Sequence, residues 1–80
     1  MGDISEGPAR PQDRKQSASD YERAARALER SAQLADALAR HEHAIGNEAA
    51  AVRALAAARR ARHDAERGRG LADQWRPPPL

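Results

Sequence analysis

Three histidines, a scatter of carboxylates and a run of arginines are the side chains of this 80-residue sequence that could do chemistry. His41 and His43 bracket Glu42 in the segment His-Glu-His, which raises metal binding first. Residues two apart on a helix point about 200° from each other, so the two imidazoles cannot share one ion. A helical metal pair needs i,i+4 spacing and further ligands. His43 and Asn47 have that spacing but poor ligand chemistry, and His63 stands alone. Solvated polar residues beside a turn are the expectation, with no metal and no cofactor; only an oligomer could gather several copies of His43. Ser5, Ser17, Ser19 and Ser31 have no nearby base, and no glycine-rich loop follows a strand. Glu42 and Glu48 flank a turn, where capping and solubility account for them. The chain is therefore expected not to be an enzyme.

The arginines suggest a different chemistry. Residues 46–70 carry Arg53, Arg59, Arg60, Arg62, Arg67 and Arg69 against Glu48, Asp64 and Glu66, whereas residues 21–45 are balanced. Arg53, Arg60 and Arg67 are seven apart and form a stripe, and with Arg59 they could neutralise phosphates. Asp64 and Glu66 interrupt the run and no aromatic is at hand to stack on bases. A solvated helix face is the plainer account; a nucleic-acid-binding accessory protein is the alternative function.

The elements that must position these residues are helices. From Ser19 to Glu22 the sequence reads Ser-Asp-Tyr-Glu, a capping box that opens a helix, with acids suited to the positive end of its dipole. Nothing breaks the chain from there to Ile45, a span of about 39 Å. Tyr21, Ala24, Ala27, Leu28, Leu34, Ala35, Leu38, Ala39 and Ile45 fall on one wide apolar arc. Glu22–Arg26 and Asp36–Arg40 have the favourable i,i+4 order. Gly46 and Asn47 are the punctuation: glycine can take the left-handed conformation that ends a helix, and asparagine caps the next. That reversal gives an antiparallel hairpin; the rival is one long helix through Gly46 at a cost of about 1 kcal/mol. A second helix is expected over 48–67, with Ala51, Ala54, Leu55, Ala58, Ala61 and Ala65 on one face and Val52 at its margin. Its alanines let another helix approach closely, and Leu28, Leu34 and Leu38 could fill the space opposite. Gly68 and Gly70 are expected to stop it.

Residues 1–18 mix Pro, Gly, Gln, Ser and both charges without period and read as a disordered arm. Residues 68–80 read as a Gly/Pro-rich tail in which Leu71 and Trp75 share one side of a helical turn. The Trp and the prolines 77–79 could serve as a short recognition tail, or Trp75 could fold back over the hairpin's open end.

The segment Gly-Asn-Glu-Ala-Ala-Ala-Val-Arg-Ala-Leu-Ala-Ala-Ala, residues 46–58, resembles the turn and second helix of a tetratricopeptide repeat: a turn glycine, Gly46, then small, large, small at Ala51, Leu55 and Ala58. The hairpin of microtubule-interacting-and-transport domains has a similar cadence. The likeness covers residues 34–61. In the first helix, where the family favours bulky residues and a glycine, this chain has Ala35, Leu38, Ala39 and Glu42. The segments 21–32 and 48–59 also align with each other at a spacing of 27 residues, short of the family's 34. The resemblance implies a helical hairpin that binds other proteins.

Composition bounds the rest. Hydrophobic residues are 40% of the chain, but alanine supplies most of them; there is no Phe, one Trp and one Tyr. Such a core is marginal for a chain this short, which then needs a staple or a partner, and with no Cys no disulfide supplies one. The N-terminal segment lacks the apolar core of a secretory leader, and no run approaches the roughly 20 apolar residues of a membrane span. A cytoplasmic protein is the expectation. The sequence thus predicts an all-α fold, an antiparallel helical hairpin (19–45, turn 46–47, 48–67) completed to a helix bundle by self-association or a protein partner. Its expected function is non-catalytic association through Leu28, Leu34, Leu38, Ile45, Val52, Leu55 and Trp75.

Overall fold

The computed structural model describes residues 11–77. Two helices, α1 (Pro11–Ala44) and α2 (Glu48–Trp75), pack along each other as an antiparallel hairpin, and the described residues include no strand. The fold is all-α, with a reversal at Gly46.

The turn follows from its residues. The Asn47 N–H donates to the Glu42 carbonyl at 2.8 Å and the Gly46 N–H to the His43 carbonyl at 3.0 Å. This is the paired closure of a Schellman motif, which needs a left-handed residue, and Gly46 supplies it at φ 85. Asn47 then caps α2: its side-chain oxygen accepts from the Ala50 N–H at 3.3 Å. Glu48 places a carboxylate in the first turn of α2, where the helix dipole favours it.

Both helices outrun their expected limits. α1 opens at Pro11, not at the Ser19 capping box. Proline suits a first turn, where its missing N–H would have had no partner, and neither Gly nor Pro interrupts 12–44. Ser19 is an exposed residue inside the helix, and Glu22 bonds Arg76, just past the end of α2, rather than reaching back. So residues 11–18 of the expected arm are helical, and the remainder of that arm lies outside the described residues. α2 runs through Gly68 and Gly70 to Trp75. Each glycine costs about 1 kcal/mol relative to Ala, and packing on α1 offsets it. A Cβ added at Gly68 would lie 3.4 Å from the Ala25 Cβ and 3.5 Å from the Tyr21 carbonyl oxygen. The helix ends as Arg76 turns extended ahead of Pro77, the conformation that a following proline enforces. Residues 78–80, including two of the tail prolines, lie outside the described residues.

With Gly68 against Ala25, a step of seven residues in each direction sets Trp75 level with Ala18, so the added turns of α2 pack on residues 18–25 of α1.

The interior consists of alanine. Ala18, Ala25, Ala32 and Ala39 of α1 and Ala51, Ala54, Ala58, Ala65 and Ala72 of α2 are the buried hydrophobic residues. Ala18, Ala25, Ala32 and Ala39 repeat every seven residues, as do Ala51, Ala58, Ala65 and Ala72, the spacing that holds one seam along a pair of gently supercoiled helices. Three residues after each alanine comes a second row: Tyr21, Leu28, Ala35 and Glu42 on α1, all half-buried, and Ala54, Ala61, Gly68 and Trp75 on α2. The face expected for α2 is this seam, apart from Leu55. The face expected for α1 is not. Leu34 and Leu38 do not fill the space opposite the alanines; alanine meets alanine, and only Leu28 of the three leucines reaches the seam.

Candidate functional site

A ladder of ion pairs fixes which faces meet. Asp36, Glu29 and Glu22, seven apart on α1, bond Arg62 and Arg69 of α2 and Arg76 at its C-cap, likewise seven apart. Each step down one helix is matched by an equal step up the other, as an antiparallel register requires. Both columns stand four residues after a seam alanine, on the flank where the helices close. Arg76 donates to Glu22 at 2.7 Å and to Asp73 at 2.9 Å. The hydrogen bond from Arg62 holds the Asp36 carboxyl below the usual carboxylate range, with the fields of Arg62 and Arg40 helping against partial desolvation. The same bond raises the Arg62 guanidinium, and the Glu22 bond, with Asp73 nearby, raises Arg76. Asp36 and Glu22 thus serve α2 rather than the i,i+4 arginines of their own helix, and Arg40 acts on Asp36 only through its field. Between the rungs lie shallow polar hollows of about 230 and 210 Å³.

Packing the alanines inward leaves the large aliphatics outside. Leu34 is 73% exposed, Leu38 50%, Ile45 62%, Val52 63% and Leu55 43%. They occupy residues 34–55, the turn end of the hairpin, but not one continuous face. Leu34 and Leu38 sit two residues either side of Asp36 and so point about 160° away from the ladder. Leu55 heads the arginine column, seven before Arg62, with Val52 about 60° round from it. These two share an open, largely apolar groove of about 270 Å³ with Ala39 and Ala51, rimmed by Asp36, Arg40, His43 and Glu48. Ile45 lies at the turn. Leu28 and Trp75 are half-buried in the seam, and Trp75 stands some 30 Å along α2 from Leu55. The expected partner-binding set is therefore divided between two flanks, the turn and the seam. Trp75 continues α2 alongside α1 and does not belong to a separate tail.

The other sequence-derived candidates stand apart from each other. His43 Nδ1 lies 2.6 Å from Glu48 Oε1, tying the last turn of α1 to the first of α2. His41 and His63 are exposed, and no three metal-ligating groups come together among the described residues. Glu42 occupies a seam position, and its Oε2 is sheltered without a hydrogen-bond partner among the described residues. Arg53, Arg59, Arg60 and Arg67 are exposed and make no ion pair among the described residues. The ladder was the feature missed in the sequence, although acids at 22, 29 and 36 and arginines at 62, 69 and 76 carry the same period.

No helix of the described residues is long and apolar enough to cross a membrane. Neither family models nor curated proteins nor solved structures match the chain, and of the tetratricopeptide likeness only the helical-hairpin shape stands.

Proposed function

We propose that the chain is a non-catalytic protein–protein interaction module, an adaptor, regulatory or assembly subunit that completes a helix bundle with a second copy or another protein. The exposure of five large aliphatics at one end of a hairpin sealed by alanine carries this reading. A fully buried aliphatic contributes roughly 1.5–3 kcal/mol. Leu34, Ile45 and Val52 contribute little of that to the hairpin and Leu38 and Leu55 about half, so much of it remains for a partner that covers the turn end. Isolated exposed aliphatics are ordinary; here they come as two groups at one end of the hairpin, Leu34 with Leu38 on one flank and Val52 with Leu55 in the apolar groove on the other. The three hollows, 210–270 Å³ and open, are smaller than the roughly 300–1,000 Å³ of ligand pockets, which favours association over catalysis.

Leu38→Asp combined with Val52→Asp tests the reading, because both side chains lie outside the seam. Helicity and the presence of the hairpin should persist while native mass by light scattering falls to that of one chain, or a co-purifying partner is lost. An assembly of unchanged mass, or a wild-type chain that is monomeric and co-purifies with nothing, refutes it.

A further inference from the structure

We propose that the outer face of α2 binds the phosphate backbone of duplex nucleic acid through Arg53, Arg59, Arg60 and Arg67. The structure divides the arginines of α2 into two populations. Arg62, Arg69 and Arg76 are consumed by the ladder; the other four face outward and are unpaired among the described residues. Arg26, Arg30 and Arg40 on α1 are likewise without an ion pair there. Seven guanidinium groups are thus left against three carboxylates, Glu42, Asp64 and Glu66, once the ion pairs of the described residues are set aside. The net charge stays at +2, because the pairs set aside hold six carboxylates against four arginines and His43; what the fold adds is where the unpaired arginines stand.

The placement suits a regular anionic polymer. Arg53, Arg60 and Arg67 stand in one column at a rise of about 10.5 Å per step, with Arg59 beside Arg60. No glycine or proline interrupts α2 between Glu48 and Arg67, so the column is held straight. On one side the neighbouring column is Ala49, Ala56, His63 and Gly70, small apart from the exposed His63; on the other it is Ala50, Ala57, Asp64 and Leu71. The only two aromatics, Tyr21 and Trp75, are half-buried in the seam, so the face offers nothing on which unpaired bases could stack. Nor does it carry the large apolar side chains that seat a helix in a bilayer surface, apart from Val52 at its turn end. Contacts to phosphate alone give sequence-independent binding, and Asp64 and Glu66 keep it weak.

Four neutralised phosphates set the salt dependence. The logarithm of the binding constant falls with the logarithm of salt concentration with a slope of about −0.9 per phosphate, about −3.6 in all, or about 150-fold between 50 and 200 mM salt. The test is fluorescence anisotropy of a labelled duplex of about 20 base pairs titrated with the full chain. The triple variant Arg53→Gln, Arg60→Gln, Arg67→Gln keeps good helix formers and should retain its circular dichroism and native mass. Its slope should fall to about −0.9, about a 3.5-fold loss over the same salt range. Leu38→Asp should bind the duplex as the wild type does, which separates this face from the aliphatic one. No binding at 50 mM salt, or an equal slope for the triple variant, overturns the proposal. So does tighter binding to a single strand than to the duplex, or binding to vesicles containing phosphatidylserine without binding to the duplex.

Discussion

Replacing Gly70 by alanine should stabilise the hairpin, and the sign of that change tests the length of α2. Gly70 lies five residues inside the helix end, without a positive φ, and a Cβ built on it meets nothing within 4 Å. The substitution adds no clash and little burial, so its effect is the glycine-to-alanine difference in helix propensity, about 0.8–1.0 kcal/mol, which acts largely by narrowing the unfolded ensemble. For a chain of this size that is a rise of about 4–8 °C in melting temperature. Gly68→Ala should gain similarly: its Cβ would sit 3.4 Å from the Ala25 Cβ, ordinary contact, and would extend the alanine seam. Gly46→Ala is the internal contrast. It has open space too, but φ 85, so a side chain there costs about 1–2 kcal/mol. Thermal melts followed by circular dichroism, at one protein concentration because association would shift them, read all three. Had α2 ended at Arg67, Gly68 would be the left-handed closing residue and its replacement would destabilise as Gly46→Ala does. A fall in melting temperature for both Gly68→Ala and Gly70→Ala refutes the continuous helix and the pairing of its last two turns with α1.

Ala32 is 1% exposed in the middle of the seam, so Ala32→Leu should force the helices apart and cost about 1–3 kcal/mol by overpacking, while Ala24→Leu, at an exposed position of the same helix, should cost little. Equal melting temperatures for the two would disprove alanine-on-alanine contact. Asp36 supplies a pH dependence: its folded pKa lies below the ordinary 3.8, so the unfolded chain binds more protons between the two values and stability rises with pH there. Its contribution is complete above the ordinary value and is lost as pH falls through the lower folded one. Asp36→Asn should flatten that part of a stability curve run from about pH 5 to about pH 2, and an unchanged curve excludes the Arg62 bond as its cause. Both partners are solvent-accessible, so the effect is small.

The turn and the class of fold were legible because they rest on local chemistry. Gly46 and Asn47 act where they stand, and no neighbour is needed to explain them. The helix ends were not legible, because they depend on the partner helix. Ser19 and Glu22 form a plausible cap in isolation, but Arg76, 54 residues away, takes the glutamate. Gly68 reads as a stop until Ala25 is known to lie against it. The α1 face was misjudged for a related reason. Periodicity weighted by side-chain size favours Leu28, Leu34, Leu38 and Ile45, whereas the seam follows Ala18, Ala25, Ala32 and Ala39. Size does not reveal that seam. The matched columns of charge do, since only one rotation of α1 brings Glu22, Glu29 and Asp36 to Arg62, Arg69 and Arg76.

That rotation sets magnitudes against each other. Three solvent-accessible ion pairs contribute at most about 1 kcal/mol each. Turning Leu34 and Leu38 into the interface would contribute up to about 3–6 kcal/mol by burial, while carrying Asp36, about 160° away, to the far side of α1. A hairpin optimised only for its own stability would therefore bury the leucines and give up the ladder. Part of the difference is recovered by close approach, because alanine faces bring two backbones into dispersion contact that leucines would hold apart. The recovery is incomplete: the sheltered Glu42 oxygen and the missing side chain at Gly68 each detract from the seam. An arrangement that leaves its largest aliphatics outside, beside a seam that is not the most stabilising available, is the one expected of a chain whose leucines are buried by something other than its own second helix.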